Sequence, residues 1–600
     1  MEFLKVIKEG FSRNELLKTT VMLSNYHRIQ ASKDIEEAAN YIYRTLKDLE
    51  LFDTKILKFP YNVSYGNLNP VTGWWVKDAE LWCVKPKEEL LHSFRQSKTL
   101  VVAHSPGGEV EADTVYVGTG DRAKYYEGID ISGKAVVVSG NTYLAYREAC
   151  RRGASLVMFY RDDVPYDAVP YLSLFLSPDE VKWAKAMALS ISRRIAEKIK
   201  QHIASGDKVV LKAWVKAGFT NDAEINVVTA RLGDNNDEIH VFAHYCHPGG
   251  TVNDNASGAS LLMELSKVLN EAINRGKLPL PTKHSITFLW YPEYYGSMAY
   301  LTHKKDGVGF GVNLDMIGEN QELTNSTLNY VRPPTSFFHP YEALIYYELR
   351  KALSRSSFSS PKRIISLRFD SLTYESGSDH DVYIINGIPA VMINQWPDTY
   401  YHTDQDTIDK FDPDTSILIG SAVGAAILKA STEELDKNLI ISYAFEYIGS
   451  ESYWADKEII TLRFNYICDK LSQKLAKYVG VSINLGKTAL EGNEFAGLER
   501  PVDIQMRYKY VGPTSVIDLR AILKKLKQEE LDDLEEIIKT KKYLRTIVQV
   551  LIPYLLRDPK TLNQLRYEIA GEIGANIELF ELEKLLNILE KMNLVIKIPA

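Results

Sequence analysis

The segment IHVFAHYCHPGGTVNDNASG, Ile239 to Gly258, carries the fold reading. Its first six residues, Ile239 to His244, form a short apolar run of strand length that stops on a histidine. Within NDNASG, Asp254 or Asn255 can cap a helix. Ala259 to Ala272 follows as an apolar-faced helix that ends before Gly276. Further strands read at HSITFLW (His284 to Trp290), GVNLDMIG (Gly311 to Gly318) and IPAVMIN (Ile388 to Asn394). Strands alternating with helices predict an α/β class, with a mostly parallel or mixed sheet covered by helices. In such sheets ligands bind outside the carboxyl ends of the strands.

Working outward, Ser32 to Leu51 reads as a helix capped by Ser32, with Ile35, Ala39, Ile42, Leu46 and Leu49 on one face. A strand over about 53–64 follows. Between about 70 and 215 the texture changes: a short strand in Gly133 to Gly140, a helix near Ala145 to Arg152, and a strand at Ser155 to Tyr160. This stretch reads as a separate β-rich module with no chemistry of its own. From about 436 onward the chain is mainly helical. Its last 60 residues run helix, helix, helix and a terminal strand, Val595 to Ile598, the order of a winged-helix module.

The 600 residues suggest about three or four domains. A net charge of −7, from 71 basic and 78 acidic residues, does not favour nucleic acid, because phosphate contacts need a basic face. Four widely spaced cysteines make no CxxC pair and no disulfide framework. The start, MEFLKVIKEGFSRNELLK, lacks the apolar core of a secretory signal. No run approaches the roughly 20 apolar residues of a membrane span. A cytoplasmic protein with no membrane and no nucleic-acid partner is expected.

Four polar constellations lie at predicted strand ends: His244 to Gly258; PEYYGS, Pro292 to Ser297; NLDMIG with Asp315; and SGSDH (Ser376 to His380) followed by YYHTDQDT (Tyr400 to Thr407). Each supplies His, Asp or Glu, and imidazole with carboxylate is a zinc ligand set. Carboxylates in such numbers at one sheet edge repel unless a cation holds them. A lone strand-end histidine is ordinarily a surface or hydrogen-bonded residue, and His284 and His303, outside any cluster, are given no role. The weight lies in four sets, each after a strand, in one domain. No HExxH, P-loop or dinucleotide fingerprint competes.

These residues resemble the co-catalytic zinc aminopeptidase family, which includes glutamate carboxypeptidases and bacterial leucyl aminopeptidases. There a strand ends in H-x-D, followed by D-x-x-S-G; here stand His244-Tyr245-Cys246 and Asp254-Asn255-Ala256-Ser257-Gly258. Asp315 matches the next aspartate ligand, and SGSDH with Tyr401-His402 the last block. The resemblance spans roughly 28–70 and 221–430. It implies a zinc peptidase domain over 1–70 and 221–435, a protease-associated-like insert over 71–220, a helical linker over 436–540 and a winged-helix-like domain over 541–600. GDRAKYYEGIDISGKAVVVSG (Gly120 to Gly140) and CRRGASLVMFY (Cys150 to Tyr160) carry the likeness to the insert.

The resemblance further implies a peptide substrate and one or two zinc ions. His244, Asp254 and Asp315 would serve one metal, and Asp254 with His402 the other. Glu293 would be general base and Tyr401 would donate to the oxyanion. Two departures stand out. The family's Glu-Glu pair reads Glu293-Tyr294, which leaves one metal position short of a carboxylate, and Cys246 replaces an orienting aspartate. One tight zinc and a weak or absent second are therefore expected, with His247, Asp379 or His380 as compensating groups. A single-zinc glutaminyl-cyclase-like transferase and a non-catalytic receptor-like binding protein are the alternatives. The C-terminal tail, with four basic and six acidic residues over 561–600, reads as a protein-contact or dimerisation module; a homo-oligomer stays open.

Overall fold

Strand period decides which face of the central sheet each residue covers. In Glu238–His244, Val241 and Ala243 fall in one apolar cluster and Phe242 in the other, and in Ser285–Tyr291 Trp290 parts from Leu289 and Tyr291 in the same way. Both strands are buried throughout, as expected of strands covered on both sides. The computed structural model describes residues 3–355, 358–360, 363–365, 367–482, 506–527, 530–532, 534 and 543–599.

The central sheet has eight strands. In spatial order they are Phe52–Pro60, Glu224–Leu232, Ser285–Tyr291, Glu238–His244, Val308–Leu314, Ala390–Trp396, Thr327–Val331 and Phe369–Leu372. The middle four run parallel, while the flanking pairings on either side are antiparallel. The sheet is thus mixed, and its parallel centre brings the carboxyl ends of four strands to one edge. Helices Gly258–Asn274 and Pro413–Thr432 lie in the core on the Val241 side. Helices Tyr295–His303 and His380–Ile385 cover the Phe242 side.

Pro413–Thr432 is long and apolar enough to cross a membrane by length and composition, but 89% of its apolar window is buried inside the fold. Its apolar character reflects packing on both sides, with Gly420 close against Leu261 and Gly424 against Leu265. The helix expected from Ser32 spans Lys33–Leu46, with Ser32 Oγ accepting the Ile35 N–H at 3.3 Å.

Residues 73–220 hold a second, seven-stranded sheet, in the order Glu89–Ser93, Gly73–Lys85, Val210–Thr220, Gly108–Tyr116, Ala135–Val138, Leu156–Phe159 and Met187–Ser190. Beyond residue 436, helices Lys437–Tyr453 and Ile460–Val479 pack together. Helices Leu562–Ile573 and Leu579–Lys591 lead into strand Val595–Pro599, which pairs antiparallel with Met506–Tyr510. Parts of the expected 436–540 linker, residues 483–505 and 535–540 among them, lie outside the described residues.

The tail does not stand off as a separate module. Arg463 donates to the Gly571 carbonyl, Arg557 to the Ile385 carbonyl, and the Glu572 carboxylate accepts from Ser336 N–H at 2.9 Å and Tyr466 Oη at 2.5 Å.

Candidate metal centre

The loop after Glu238–His244 is built to hold side chains, not to turn quickly. Arg28, fully buried, donates to the carbonyls of Leu23 (2.6 Å), Tyr26 (3.1 Å), Tyr245 (2.7 Å) and Thr251 (3.3 Å), and its own carbonyl accepts the His247 N–H at 2.9 Å. The Asp406 carboxylate accepts the N–H groups of Asn253 and Asp254 at 2.8 and 3.1 Å. Asn255 ties the next strand end to the helix start: its Nδ2 donates to the Leu314 carbonyl, and its Oδ1 accepts from Gly258 and Met316. Asp254 and Asp315 are thereby locked side by side.

Among the described residues three groups could hold an ion: His244 with Cys246 and His247, His247 with Asp254 and His402, and His244 with Asp254 and Asp315; the last two share Asp254. His244 Nε2 lies 3.2 Å from Asp315 Oδ1 and 3.4 Å from Asp254 Oδ1. His247 Nε2 and His402 Nε2 lie 3.3 and 3.0 Å from Asp254 Oδ2. Within each set the ligand atoms fall within 4.8 Å of one another. Tetrahedral N and O ligands at zinc distances of 2.0–2.2 Å are separated by about 3.3 Å, so the spacing fits a bound ion. A further sign agrees. His402 Nε2 lies close to a carboxylate oxygen yet outside hydrogen-bond geometry. A buried polar atom left unmatched costs about 1–3 kcal/mol.

The protonation pattern differs between the two sets: burial opposes charge on His244, but Asp315 and Cys246 hold it well above the imidazole range, whereas His402 and His247 are shifted down. Burial, with Arg161 and His244 nearby, pushes the His402 pKa down to about 3, and burial with His402 and His244 pushes His247 well below the imidazole range. Both rings are therefore neutral, with a lone pair to offer. Burial raises Asp254 to about 7 despite His244, the response of clustered carboxylates without a cation beside them.

His247 answers the vacancy left by Tyr294. The second position, read from the sequence as short of a third ligand, has a candidate in His247, brought round by a backbone φ of 105°. His402 (φ 53°), Tyr294 (φ 58°) and Met316 (φ 58°) share that left-handed region, which non-glycine residues occupy chiefly at functional sites. Tyr294 points elsewhere: its hydroxyl donates to Asp381 at 2.8 Å, and burial beside that carboxylate lifts its pKa well above the phenol range. Asp379 accepts the Tyr294 N–H at 2.7 Å and the Ser297 hydroxyl, and His380 Nε2 meets the Glu375 carbonyl at 2.9 Å. Neither belongs to the clusters around Asp254. Cys246 Sγ sits 3.4 Å from His244 Nδ1, on the ring nitrogen opposite the one facing Asp315 and Asp254.

Glu293 follows strand Ser285–Tyr291 and faces the same space. Its main chain is held by the Cys246 thiol, which accepts its N–H at 3.4 Å, and by Gln30, which donates to its carbonyl at 3.1 Å. Among the described residues nothing hydrogen-bonds its carboxylate, and burial raises its pKa to about 7. Tyr401 stacks on His402, ring centres 3.8 Å apart, and packs edge-on against Trp396. Burial beside Asp254 and Glu293 keeps its phenol protonated.

A cavity of about 820 Å³ opens over these residues. The module at 73–220, expected to carry no chemistry, supplies part of its wall through Arg161, Tyr171 and Phe175. Tyr171 packs edge-on against His247 and His402, and its N–H donates to the His402 carbonyl at 2.7 Å. The C-terminal region supplies Asp518, Arg520, Arg545 and Gln549.

The family model described as Peptidase family M28 matches residues 226–427. Among solved structures, the Peptidase M28 precursor from Shewanella amazonensis SB2B is 14% identical with a TM-score of 0.52, covering 72% of this chain and 97% of that one. An aminopeptidase from Aneurinibacillus sp. strain AM-1 is 20% identical (TM-score 0.47, 72% and 97% covered). BSAP, a zinc aminopeptidase from Bacillus subtilis, is 20% identical (TM-score 0.49, 71% and 96% covered). At these identities the likeness is one of fold. No curated protein matches the chain. Residues 226–427 are thus similar to peptidase family M28, and zinc is the metal which that family implies for the His and Asp cluster found there.

Proposed function

We propose that this protein is an aminopeptidase that removes N-terminal residues from peptides at a two-zinc site. The observation that carries the reading is the pair of three-ligand sets sharing Asp254: His244, Asp254 and Asp315 on one side, His247, Asp254 and His402 on the other. Three protein ligands with an open position are the catalytic norm for zinc. The cyclase alternative drew its motive from a depleted second position, which His247 refills. The sheet at 73–220 is assigned as the protease-associated-like insert and residues 541–600 as the winged-helix-like domain.

Zinc held by His244, Asp254 and Asp315 and by His247, Asp254 and His402 would supply a Lewis acid for the peptide carbonyl and would bring the pKa of water toward neutrality. The chain's own residues do the rest. Glu293, with a free carboxylate and a raised pKa, takes a proton from the attacking water and returns it to the leaving amine, the matched acid and base that such a cycle needs. Tyr401, held protonated beside His402, donates to the oxygen that gains charge. Tyr171 and Trp396 pack against His402 and Tyr401 and fix their orientation. Choice of the N-terminus is supported by the family resemblance.

The test joins elemental analysis to a panel of aminoacyl reporter peptides. Two zinc equivalents, activity lost with a chelator and restored by zinc, and cleavage from the N-terminus are expected. Full activity of metal-free protein, or zinc-loaded protein inert toward the whole panel, overturns the reading.

A further inference from the structure

Three arginines line the cavity, and two of them are already satisfied. Arg161 is bound by Asp163 through Nε and Nη2 at 2.8 and 2.7 Å. Arg520 pairs with Asp518 at 3.2 Å and lies over the Phe175 ring, 4.1 Å from its centre. Arg545 differs. Its Nε donates to the neutral Gln549 Oε1 at 2.6 Å, and among the described residues it makes no ion pair. Tyr294, Tyr401, Asp381 and Glu293 lie close enough to act on it, and the residue is exposed and lines the cavity. Asp381 acts on Arg545 through space but accepts its hydrogen bonds from Tyr294, Tyr374 and the Gly377 N–H.

A guanidinium beside a reaction centre, held at one nitrogen and lacking a carboxylate, is a ready fork for a planar anion. Peptides bring one anion of that shape. We propose that Arg545 binds a substrate carboxylate close to the scissile bond, so that the protein prefers peptides carrying one there. This rests on the peptidase reading. The carboxylate is either the free C-terminus of a very short peptide or an Asp or Glu side chain; Arg545 recognises the same chemistry in both. The cavity, about 820 Å³, lies within the range of roughly 300–1,000 Å³ typical of small-molecule sites, which fits a short peptide. Arg545 lies outside residues 226–427, so the preference comes from the C-terminal region and not from the matched unit.

The experiment compares the zinc-loaded full chain with its Arg545→Gln and Arg545→Lys variants on Leu-Gly, Leu-Gly-amide, Leu-Glu-amide and Leu-Gln-amide. Wild type should favour at least one carboxylate over its amide partner by about ten- to hundredfold in kcat/KM, mostly through KM, the effect of one charge-assisted hydrogen bond. Arg545→Gln should bring that ratio toward one, with Arg545→Lys between. Preference for Leu-Gly alone identifies the terminus, and preference for Leu-Glu-amide alone the side chain; either supports the proposal. Equal use of acid and amide by wild type, or a ratio unchanged in Arg545→Gln, overturns it. Should zinc-loaded wild type hydrolyse none of the four, the peptidase reading fails, and calorimetric binding of Leu-Gly against Leu-Gly-amide still decides for or against Arg545. If Arg545→Gln does not fold, the wild-type ratio and Arg545→Lys suffice.

Discussion

Replacing His247 with glycine separates the two metal positions. The residue sits at φ 105°, a conformation glycine adopts freely, so the change removes a ligand without adding backbone strain. His247 Nε2 is 3.3 Å from Asp254 Oδ2, in the same set as His402. Four-ligand structural zinc sites have apparent binding free energies of about 10–16 kcal/mol. One ligand then carries roughly 2.5–4 kcal/mol of that, or about 10²–10³-fold in affinity. The position next to His402 should weaken by that factor, while the position formed by His244, Asp254 and Asp315 keeps its ion. Dialysis against buffered zinc, followed by elemental analysis, should find two equivalents in wild type and one in His247→Gly. His244→Ala should lose the other ion. Two tightly held ions in His247→Gly would show that another group completes the second set and would refute the assignment of His247.

Glu293→Gln should keep both ions and lose about 10²–10⁴-fold in kcat, as expected for a general base; loss of an ion instead would make Glu293 a ligand. Tyr401→Phe should lower kcat by up to about 10²–10³-fold, the range for one oxyanion donor, with metal content unchanged; normal kcat would leave Tyr401 a packing residue. Acid stability should report Glu238. Burial opposes its charge, but hydrogen bonds from His240, Thr287 and Lys304 bring its pKa down to about 2 from 4.5. A depressed carboxylate stabilises above its unfolded pKa and loses that contribution as pH falls through the folded one. Glu238→Gln should therefore melt lower than wild type at neutral pH, by up to about 3 kcal/mol, with the deficit closing between about pH 4.5 and pH 2; a constant deficit would trace to packing. The tail should not retard duplex DNA in a gel shift with the full chain at physiological salt. Arg566 and Lys597 are occupied by Glu578 and Glu590, and sub-micromolar binding would contradict this.

Much of the centre could be read from local pattern. His244, Asp254, Glu293 and Asp315 each follow an apolar strand, and a mostly parallel sheet collects strand ends at one edge. What escaped depends on backbone geometry and distant contacts. The sequence offers His247 only as one of three candidates, with Asp379 and His380, because it lies three residues beyond His244 in a loop and it is the left-handed backbone that turns its ring onto Asp254. Tyr294 stands where a metal-binding carboxylate was expected, but its side chain follows a hydrogen bond to Asp381, 87 residues away. The roles of Tyr171 and Arg545 have no local signature, since both come from segments that read as modules apart from the chemistry. Pro413–Thr432 shows the same limit, because a helix buried on all sides lacks the polar stripe by which periodicity finds helices.

The wall of the cavity has a consequence for the order in which the protein becomes itself. The chain leaves the ribosome from its N-terminus, and its parts fold largely in that order. His244, Asp254, Glu293, Asp315 and His402 all precede residue 403, whereas Arg545 and Gln549 follow more than 140 residues later. Every candidate metal-binding group is therefore synthesised while one side of the chamber is still missing. In the proposed peptidase, the groups assigned to cutting thus leave the ribosome before those assigned to choosing, and the surface proposed to select arrives last.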